Sequence, residues 1–502
     1  MTHSNPSLGR THPDVTWIHI FRGLDRNGQG GQGLNIQIRR AIVYAIEVGL
    51  LAPGDRLPSS RQLATLLRVA RNTVTAAYQM LTDDGLLVSR ERSGIYVGDR
   101  KVTKEAPARE KPAGDHLTRR FATQPSRLRH FNKPRNWMEY RYPFLYGQFD
   151  PAIFPTNDWR EAIRSTSSVQ EICGWAGDLI DDDDPDLLEQ LRVQVLPRRG
   201  IFAEPNEIII TIGSQQALSM LVHLLVGRNS KVGVEDPGYP DTRNMVILAT
   251  GSCTPLSVDN EGVVPDHRFG QCDLAFLTVG HQCPTTAVMP HHRREALLEV
   301  ANRQDVLLIE DDYEGDLTLT EGGSRPCLKS LDRSDRVIYL GSFSKALAPG
   351  LRIGYIVAPA VVTAELRLLR RLLMRHPPTN NQRILAAFIG LGHYQRHMRR
   401  AAEILSRRAA LMAQLLPEVM PGCTWRRDGG GKSFWVRLPE GYQCRAFEAE
   451  ARERGVLVEA GDIFFANPED GDRFLRLGFT SIAETAIEPG LRILGDMVAT
   501  GR

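Results

Sequence analysis

The sequence predicts an α/β protein in two unequal parts, a small winged helix-turn-helix followed by a large domain built on a mostly parallel sheet. In the first part, helical periodicity gives way to two short alternating stretches. Beyond residue 142, short apolar runs alternate with amphipathic helical stretches, which is typical of α/β domains. The hydrophobic fraction of 42% and the charged fraction of 24% are globular values, and 502 residues suffice for more than one core.

The winged helix-turn-helix is predicted over residues 17–98. Apolar residues recur at helical spacing from Leu34 to Gly49. Ser59 or Ser60 is a natural N-cap for the next helix, and Gly85 ends the one after it. We therefore predict helices over 34–49, 59–67 and 71–84, then a hairpin formed by 86–90 and 95–97.

The start of the third helix carries side chains suited to reading DNA. A recognition helix inserts its first turn into the major groove, where arginine pairs with guanine and asparagine with adenine. Residues at the start of the preceding helix and on the wing would contact phosphates or the minor groove. A surface helical module that binds protein instead is the alternative. The predicted DNA-contacting residues are Ser59, Ser60, Arg61, Arg71, Asn72, Thr73, Thr75, Arg90 and Arg92.

Charge is distributed unevenly along the chain. The formal net charge is only +3, so contacts with double-stranded DNA require a local basic face. Lysines, arginines and prolines are frequent over residues 99–141, whereas apolar residues are few. We predict a basic flexible linker there, either a solvated tether or one that also contacts phosphates without sequence preference.

Cysteine usage and hydropathy indicate a cytoplasmic protein. The seven cysteines are scattered and form no C-x-x-C pair, which predicts reduced thiols and no zinc or other metal site. No apolar run approaches about 18 residues, and no charged start leads into an apolar stretch. We expect neither a membrane span nor a signal peptide.

Residues 142–500 form the large domain, in which several polar motifs follow predicted strands. The apolar runs lie at 207–212, 231–234, 274–278, 306–309 and 337–340. Polar motifs follow several of them, as in α/β sheets whose strand ends deliver functional side chains. These motifs are Gly213-Ser214-Gln215, Glu235-Asp236-Pro237-Gly238-Tyr239, Glu310-Asp311-Asp312-Tyr313, Gly341-Ser342-Phe343-Ser344-Lys345 with Arg352, and Leu475-Arg476-Leu477-Gly478-Phe479.

These motifs carry a resemblance to a known family. The run Arg56-Leu57-Pro58-Ser59-Ser60-Arg61-Gln62-Leu63-Ala64, followed by Arg71-Asn72-Thr73-Val74, resembles the GntR-type winged helix. The later motifs resemble a fold-type I aminotransferase as found in the MocR/GabR subfamily of GntR regulators. The two resemblances cover nearly the whole chain in the order that this subfamily uses.

The resemblance implies a pyridoxal 5′-phosphate (PLP) cofactor bound to Lys345. A Schiff base needs an accessible neutral lysine, which burial favours. The other implied cofactor contacts are Arg352, Ser342 and Ser344 at the phosphate, the backbone of Ser214 and Gln215 at a helix start, Asp311 at the pyridinium nitrogen, Tyr313 at the phenolate and Tyr239 stacked on the ring. Asp312 is the neighbouring alternative to Asp311, and periodicity alone does not choose between them.

Two arginines are candidates for binding an effector. Arg476 matches the arginine with which aminotransferases grip a carboxylate, and Arg243 is a weaker second candidate. Common aminotransferases have Asn-Pro-Thr-Gly near the phenolate, whereas this chain has Cys283-Pro284-Thr285-Thr286. His281 or Gln282 is the candidate for supplying the missing hydrogen bond.

The resemblance implies a transcription regulator rather than an enzyme. It would be a homodimer that senses a small amine or amino acid by aldimine exchange at Lys345 and binds paired half-sites on promoter DNA. One alternative is a genuine aminotransferase with an accessory DNA-binding module. Another is a sensor for which PLP itself is the signal.

Overall fold

The computed structural model describes residues 17, 20–21, 24, 33–90, 93–99, 115–148, 150–315, 326–427 and 431–500. The chain divides into two compact units, residues 1–121 and 122–502. The first is a winged helix-turn-helix and the second an α/β domain, as predicted. No helix in the described ranges is long and apolar enough to cross a lipid bilayer.

The first unit contains the predicted helices and hairpin. Its elements are α1 (Leu34–Glu47), α2 (Ser60–Leu67), α3 (Arg71–Asp83), β1 (Leu87–Arg90), β2 (Gly94–Val97) and α4 (Asp115–Thr118). The apolar positions predicted for the inner face of α3, namely Val74, Ala77, Tyr78 and Leu81, are buried. They pack with Trp17, Ile38 and Leu63 into one core.

The N-cap of α2 shows why this helix begins where it does. Ser59 Oγ accepts a hydrogen bond from the Gln62 amide at 3.2 Å, and the Gln62 side chain accepts one from the Ser59 amide at 3.0 Å. This reciprocal capping box satisfies backbone donors that the first turn leaves without partners. At the other end Arg68 has φ of +52°, so a left-handed residue ends α2 before the turn into α3.

The second unit is built around an eight-stranded sheet in the order β4-β11-β10-β9-β8-β5-β6-β7. The central pairs from β10 through β6 are parallel, whereas β11 and β7 run antiparallel to their neighbours. The strands are β3 (Tyr142–Pro143), β4 (Ile208–Thr211), β5 (Val232–Asp236), β6 (Thr254–Asp259), β7 (Gly262–Val263), β8 (Leu274–Leu277), β9 (Leu307–Asp312), β10 (Val337–Ser342) and β11 (Gly354–Val357). Strands β5, β8, β9 and β10 are buried along almost their whole length, as expected for parallel strands inside an α/β sheet.

A smaller antiparallel sheet in the order β12-β13-β16-β15 follows the large one. Its strands, with the separate β14, are β12 (Thr424–Arg426), β13 (Ser433–Arg437), β14 (Val456–Leu457), β15 (Glu459–Ala460) and β16 (Phe474–Gly478). The helices of this unit are α5 (Thr156–Ser165), α6 (Val169–Trp175), α7 (Pro185–Gln190), α8 (Gly213–Leu225), α9 (Pro240–Thr250), α10 (His291–Gln304), α11 (Leu328–Leu331), α12 (Ala360–Met374), α13 (Thr379–Gly390), α14 (His393–Val419), α15 (Cys444–Glu453) and α16 (Glu484–Thr500).

The predicted linker of residues 99–141 does not hold as a tether over its second half. From Ala122 onward the chain belongs to the second compact unit. Arg129 donates hydrogen bonds to the carbonyls of Asp462 and Ala466, each at 3.0 Å, and to that of Phe465. Phe131 packs in an aromatic cluster with Phe464. The many basic residues of this stretch predict a tether, whereas composition gives no sign that Phe131 anchors it to the domain. Residues 100–114 lie outside the described part of the chain.

Candidate functional site

The predicted DNA-contacting side chains are accessible on the first unit. Among those described, Ser59, Arg61, Arg71, Asn72, Thr75 and Arg90 are exposed, and Ser60 and Thr73 are half-buried. Arg71 and Asn72 form the first turn of α3, as a recognition helix requires. On the wing, the Arg90 guanidinium lies 4.7 Å from the centre of the Tyr96 ring. Arg92 lies outside the described residues.

Ser59 has a structural role in addition to its accessible position. Its Oγ accepts from the Gln62 amide and donates to Gln62 Oε1 at 2.8 Å, so the hydroxyl is already committed to the helix cap. Thr75 similarly donates to the Arg71 carbonyl at 3.0 Å. Arg61, Arg71 and Asn72 are therefore the freest of the predicted groups to meet nucleic acid.

In the second unit, strand ends bring the cofactor motifs together. Asp311 of β9 pairs in register with Leu340 of β10, whose chain then continues into Ser342–Lys345. Gly354 of β11 pairs with Thr211 of β4, which leads directly into the N-terminus of α8 at Gly213. The carboxyl ends of β4, β9 and β10 and the amino end of the antiparallel β11 meet at one edge of the sheet, where α/β proteins place ligand sites.

An open cavity of about 580 Å³ lies at this edge. This figure includes space that is open to solvent, and six of the predicted site residues line the cavity. The residues lining it are Phe131, Lys133, Tyr146, Ser214, Tyr239, Thr278, Cys283, Asp311, Tyr313, Lys345 and Arg476.

Lys345 has the properties required of a Schiff-base lysine. Its Nζ lies 3.4 Å from the Gly147 carbonyl oxygen and 5.1 Å from the centre of the Tyr146 ring. Burial, with the nearby charges of Lys133 and Arg476, lowers the pKa of Lys345 to about 7. A Cβ added at Gly147 would lie 2.1 Å from Lys345 Nζ, so glycine at this position keeps the lysine's space clear.

Asp311, and not Asp312, faces the cavity. Asp312 is bound on the other side of β9 by Arg199 and by the Tyr339 hydroxyl, the latter at 2.8 Å. Asp311 Oδ1 is buried with no hydrogen-bond partner among the described residues. Burial, together with the neighbouring carboxylates of Asp312 and Glu235, raises the pKa of Asp311 to about 7. A carboxylate left in this state is suited to meet a cationic ring nitrogen.

Of the predicted phosphate-binding groups, Arg352 and Ser342 lie near the N-terminus of α8, whereas Ser344 faces a neighbouring cavity. Arg352 donates to the Ile212 carbonyl at 2.9 Å, and its guanidinium carbon would lie 3.2 Å from a Cβ at Gly213. Ser342 Oγ accepts from the Ser344 amide at 3.3 Å. Ser344 itself lines a neighbouring cavity of about 490 Å³ that shares Tyr146 and Lys345 with the first. A helix N-terminus beside an arginine is suited to a phosphate.

The hydrogen bonds of Tyr239, Gln215 and Tyr313 refine their predicted roles. The Tyr239 hydroxyl donates to Gln215 Oε1 at 3.0 Å, and Gln215 Nε2 donates to Asp241 at 2.9 Å. The Gln215 side chain therefore orients Tyr239. The backbone amide of Gln215 remains to bind a ligand. The Tyr313 hydroxyl donates to the His281 carbonyl at 2.9 Å.

The position at which common aminotransferases have asparagine is occupied by a buried thiol. Burial raises the pKa of Cys283 to about 12, so the thiol stays neutral. Gln282 does not line the cavity: its amide donates to the Pro237 carbonyl at 2.7 Å and the Cys283 carbonyl at 2.8 Å. The turn is held internally, and Gln282 is not placed to supply the missing hydrogen bond.

Of the two candidate effector-binding arginines, only Arg476 lines the cavity. Its Nε donates to Glu459 at 2.6 Å, and its guanidinium lies 4.3 Å from the centre of the Tyr146 ring. Arg243 instead donates to the carbonyls of Phe464 at 3.1 Å and Ile463 at 2.6 Å. The expectation that Arg243 contacts the effector therefore does not hold, because its guanidinium anchors a backbone segment.

Several cavity residues were not singled out by the sequence. Phe131 and Lys133 come from the predicted linker, and Thr278 follows β8. Glu459, in the two-residue strand β15, does not line the cavity but pairs with Arg476, which does. Strand-end position was a usable signal for Thr278. No periodicity or motif identifies Phe131, Lys133 or Glu459 as site residues. Only tertiary folding brings them to the cavity or next to Arg476.

The donor set of the cavity fits PLP. The cavity wall offers a lysine with a lowered pKa and a carboxylate oxygen without a hydrogen-bond partner among the described residues, which suit the aldehyde and ring nitrogen of PLP. Ser214 at the start of α8 also lines the cavity, and Arg352 lies beside this helix N-terminus, so the two suit the PLP phosphate. When bound, the cofactor supplies an aldehyde that condenses with primary amines.

Comparison with known proteins agrees with this geometry. The family model of class I and II aminotransferases matches residues 183–492, and that of the bacterial regulatory proteins of the gntR family matches residues 34–97. The HTH-type transcriptional regulator TauR of Rhodobacter capsulatus is 38% identical over 92% of this chain and 96% of its own. The chain belongs to the MocR/GabR subfamily of GntR-type transcriptional regulators.

Further similarities accord with membership of this subfamily. The probable rhizopine catabolism regulatory protein MocR of Rhizobium meliloti is 30% identical over 91% of this chain and 92% of its own. The α-aminoadipate aminotransferase LysN of Thermus thermophilus, solved with N-(5′-phosphopyridoxyl)-L-leucine, is 25% identical and matches with a TM-score of 0.68 over 76% of this chain and 98% of its own. The chain is thus a MocR/GabR-type transcription regulator with an aminotransferase-like domain, rather than an aminotransferase.

Proposed function

We propose that this regulator holds PLP on Lys345 and senses a small primary amine that carries an acidic group. The observation that supports the proposal is the presence of Lys345, Asp311 and Arg476 on the wall of one cavity. Lys345 provides the amine for the cofactor, Asp311 a carboxylate for the ring nitrogen, and Arg476 a cation for the effector's acid. The protein would act in the cytoplasm on double-stranded promoter DNA.

The residues of the cavity would allow exchange of amines at the cofactor. With a pKa of about 7, Lys345 is neutral in a large fraction of molecules near neutral pH and can both leave and return. The guanidinium of Arg476 is buried and already paired with Glu459, so it is held in a fixed orientation. An amine that places its acid group there would compete with Lys345 for the same aldehyde carbon.

Sensing requires that the ligand favour one arrangement of the protein over another. Each tenfold difference in affinity between two arrangements shifts their equilibrium by about 1.4 kcal/mol. We propose a homodimer that presents two winged helices to paired half-sites, since a single small module has limited contact area with DNA. The effector would change the affinity of this pair for DNA.

Absorbance spectroscopy combined with DNA binding tests the proposal. Purified protein should show a Schiff-base band near roughly 410–430 nm. Titration with acidic primary amines should shift the band and change the affinity for promoter DNA over the same concentration range. The Lys345→Ala variant should lose the band and the amine response while its DNA binding persists.

Other outcomes would overturn the proposal in different ways. If the wild-type protein showed no such band, the proposal that it binds PLP on Lys345 would be wrong. If amines shifted the band while the affinity for DNA stayed constant, the proposal that amine binding regulates DNA binding would be wrong. A change in DNA affinity on PLP loading alone would make the cofactor itself the signal, and sustained release of a keto acid would indicate turnover.

A further inference from the structure

The segment Arg129–Lys133, named here the arm, forms part of the cavity wall. Phe131 and Lys133 line the cavity together with Lys345 and Arg476, whereas Asn132 between them is exposed. The arm lies just before the first strand of the second unit and after the chain that comes from the winged helix. Ligand in this cavity would therefore touch a stretch of the second unit that is close in sequence to its first residue, Ala122.

The arm is anchored to the domain on one side of the cavity. Arg129 donates to backbone carbonyls of the 462–466 segment, and its own carbonyl accepts from Asn244 Nδ2 at 2.8 Å. The ring of Phe131 lies 5.3 Å from that of Phe464 and 6.4 Å from that of Tyr239. Because Tyr239 lines the same cavity, the arm packs against a residue expected to lie over the cofactor ring.

Lys133 brings a second cation to the effector end of the cavity. Its Nζ lies 2.6 Å from Glu459 Oε1 and donates to the Tyr146 carbonyl at 2.9 Å. The other oxygen of Glu459 accepts from Arg476 Nε at 2.6 Å. Arg476 and Lys133 thus share a single carboxylate, and together they lower the pKa of Glu459 despite its burial. One positive charge of this trio is left uncompensated.

We propose that Lys133 binds the acidic group of the effector together with Arg476, and that the arm carries the presence of ligand toward the DNA-binding unit. The inference rests on the proposed function and assigns its ligand class, a primary amine bearing a carboxylate or sulfonate. Arg476 already neutralises Glu459 at 2.6 Å, so Lys133 can turn from Glu459 to an incoming anion without leaving a buried carboxylate unpaired. Its side chain is 25% exposed, which leaves it room to turn.

Amine titrations of the PLP-loaded protein test the assignment. The probes are β-alanine, 2-aminoethanesulfonate and n-propylamine, the last of which has the length of β-alanine but no acid group. Lys133→Gln should weaken the spectral affinity for the two acidic amines roughly 10-fold or more, as expected for loss of a charged hydrogen bond, and change that for n-propylamine less than about 2-fold. Arg135→Gln, the same charge change at an exposed residue of the same stretch, should behave as wild type.

The possible results separate this inference from the proposed function. If wild-type protein responds to none of the three probes, the proposed function fails and this inference fails with it. If wild-type protein responds and Lys133→Gln responds identically, only the role of Lys133 is overturned. An equal loss for all three amines would make Lys133 a structural residue that holds the cavity wall, which also overturns the assignment.

Discussion

Two side chains in the cavity have pKa values displaced toward neutrality from opposite sides. Burial lowers the pKa of Lys345 to about 7 and raises that of Asp311 to about 7. Each group is therefore held closer to its neutral form than it would be in water. A pyridinium ring bound in the cavity would place a positive charge beside the Asp311 carboxylate. The electrostatics of the cavity therefore favour binding of the cofactor.

The lowered pKa of Lys345 makes stability depend on pH. The pKa of an ordinary lysine is 10.5, so between pH 7 and 10.5 the unfolded lysine keeps a proton that the folded one has lost. The unfolded state then binds more protons, and stability rises with pH. Lys345→Met should stabilise the cofactor-free protein by up to about 5 kcal/mol at pH 6, with the gain vanishing toward pH 10.5. Urea unfolding at several pH values measures this, and a gain independent of pH would point to packing instead.

Asp311 and Asp312 should respond differently to the same substitution. Asp311→Asn should weaken PLP binding roughly tenfold or more through loss of the ring-nitrogen partner. At neutral pH it should also stabilise the cofactor-free protein, because it removes a buried carboxyl whose raised pKa costs stability as pH rises. Asp312→Asn removes one ion-pair partner of buried Arg199, which should cost about 3 kcal/mol of unfolding free energy. Fluorescence titration with PLP and thermal unfolding separate the two effects. The opposite pattern would exchange their roles.

This pair also shows where sequence reasoning ends at the residue scale. Adjacent residues of a strand point to opposite faces, so one of the two aspartates had to face away from the site. Which face carried the cavity depended on packing that the sequence does not display. The same holds for Arg243 and Arg476, both buried arginines, of which only the second lines the cavity.

Local sequence signals predicted best those helices and strands whose formation depends on residues close together in the sequence. The helices and hairpin of the first unit follow from periodicity, a serine cap and turn glycines within short stretches. The prediction of a flexible linker was wrong for the arm, because Phe131 packs on residues more than 100 positions away in the sequence, namely Tyr239 and Phe464. A stretch rich in arginine and proline gives no sign of such contacts.

The cap of α2 provides a test at the element scale. Ser59→Ala removes the hydroxyl that accepts from the Gln62 amide and should lower the stability of the winged helix by about 1 kcal/mol. Ser60→Ala, one residue into the helix, is the matched control and should cost less than half of that. Circular dichroism melts of the full chain measure both. Equal losses would mean that the capping box contributes nothing specific.

For the molecule as a whole, the two compact units imply two separable activities joined by one stretch of chain. The first presents Arg71 and Asn72 on an accessible helix, and the second encloses Lys345 in its own cavity. A regulator needs these activities to be coupled, because a ligand with equal affinity for all arrangements shifts none of them. Phe131 lines the cavity and lies near the sequence position at which the second unit begins.

Truncation of Phe131 should uncouple the two activities. Phe131→Ala removes the ring that packs on Phe464 and Tyr239 but leaves Lys345, Asp311 and Arg476 in place. We expect the variant to bind PLP and, because the ring also lies 5.9 Å from the Arg476 guanidinium, to need more of the acidic amine for saturation. Once saturated with the amine, it should bind promoter DNA as well as it does without the amine. Phe121→Ala, at a side chain that is 57% exposed, is the control and should keep the amine response. Fluorescence anisotropy of labelled promoter DNA, measured with and without 2-aminoethanesulfonate, gives both affinities. A Phe131→Ala protein with a wild-type response would show that coupling bypasses this ring, because the cavity would then influence DNA binding without its contacts.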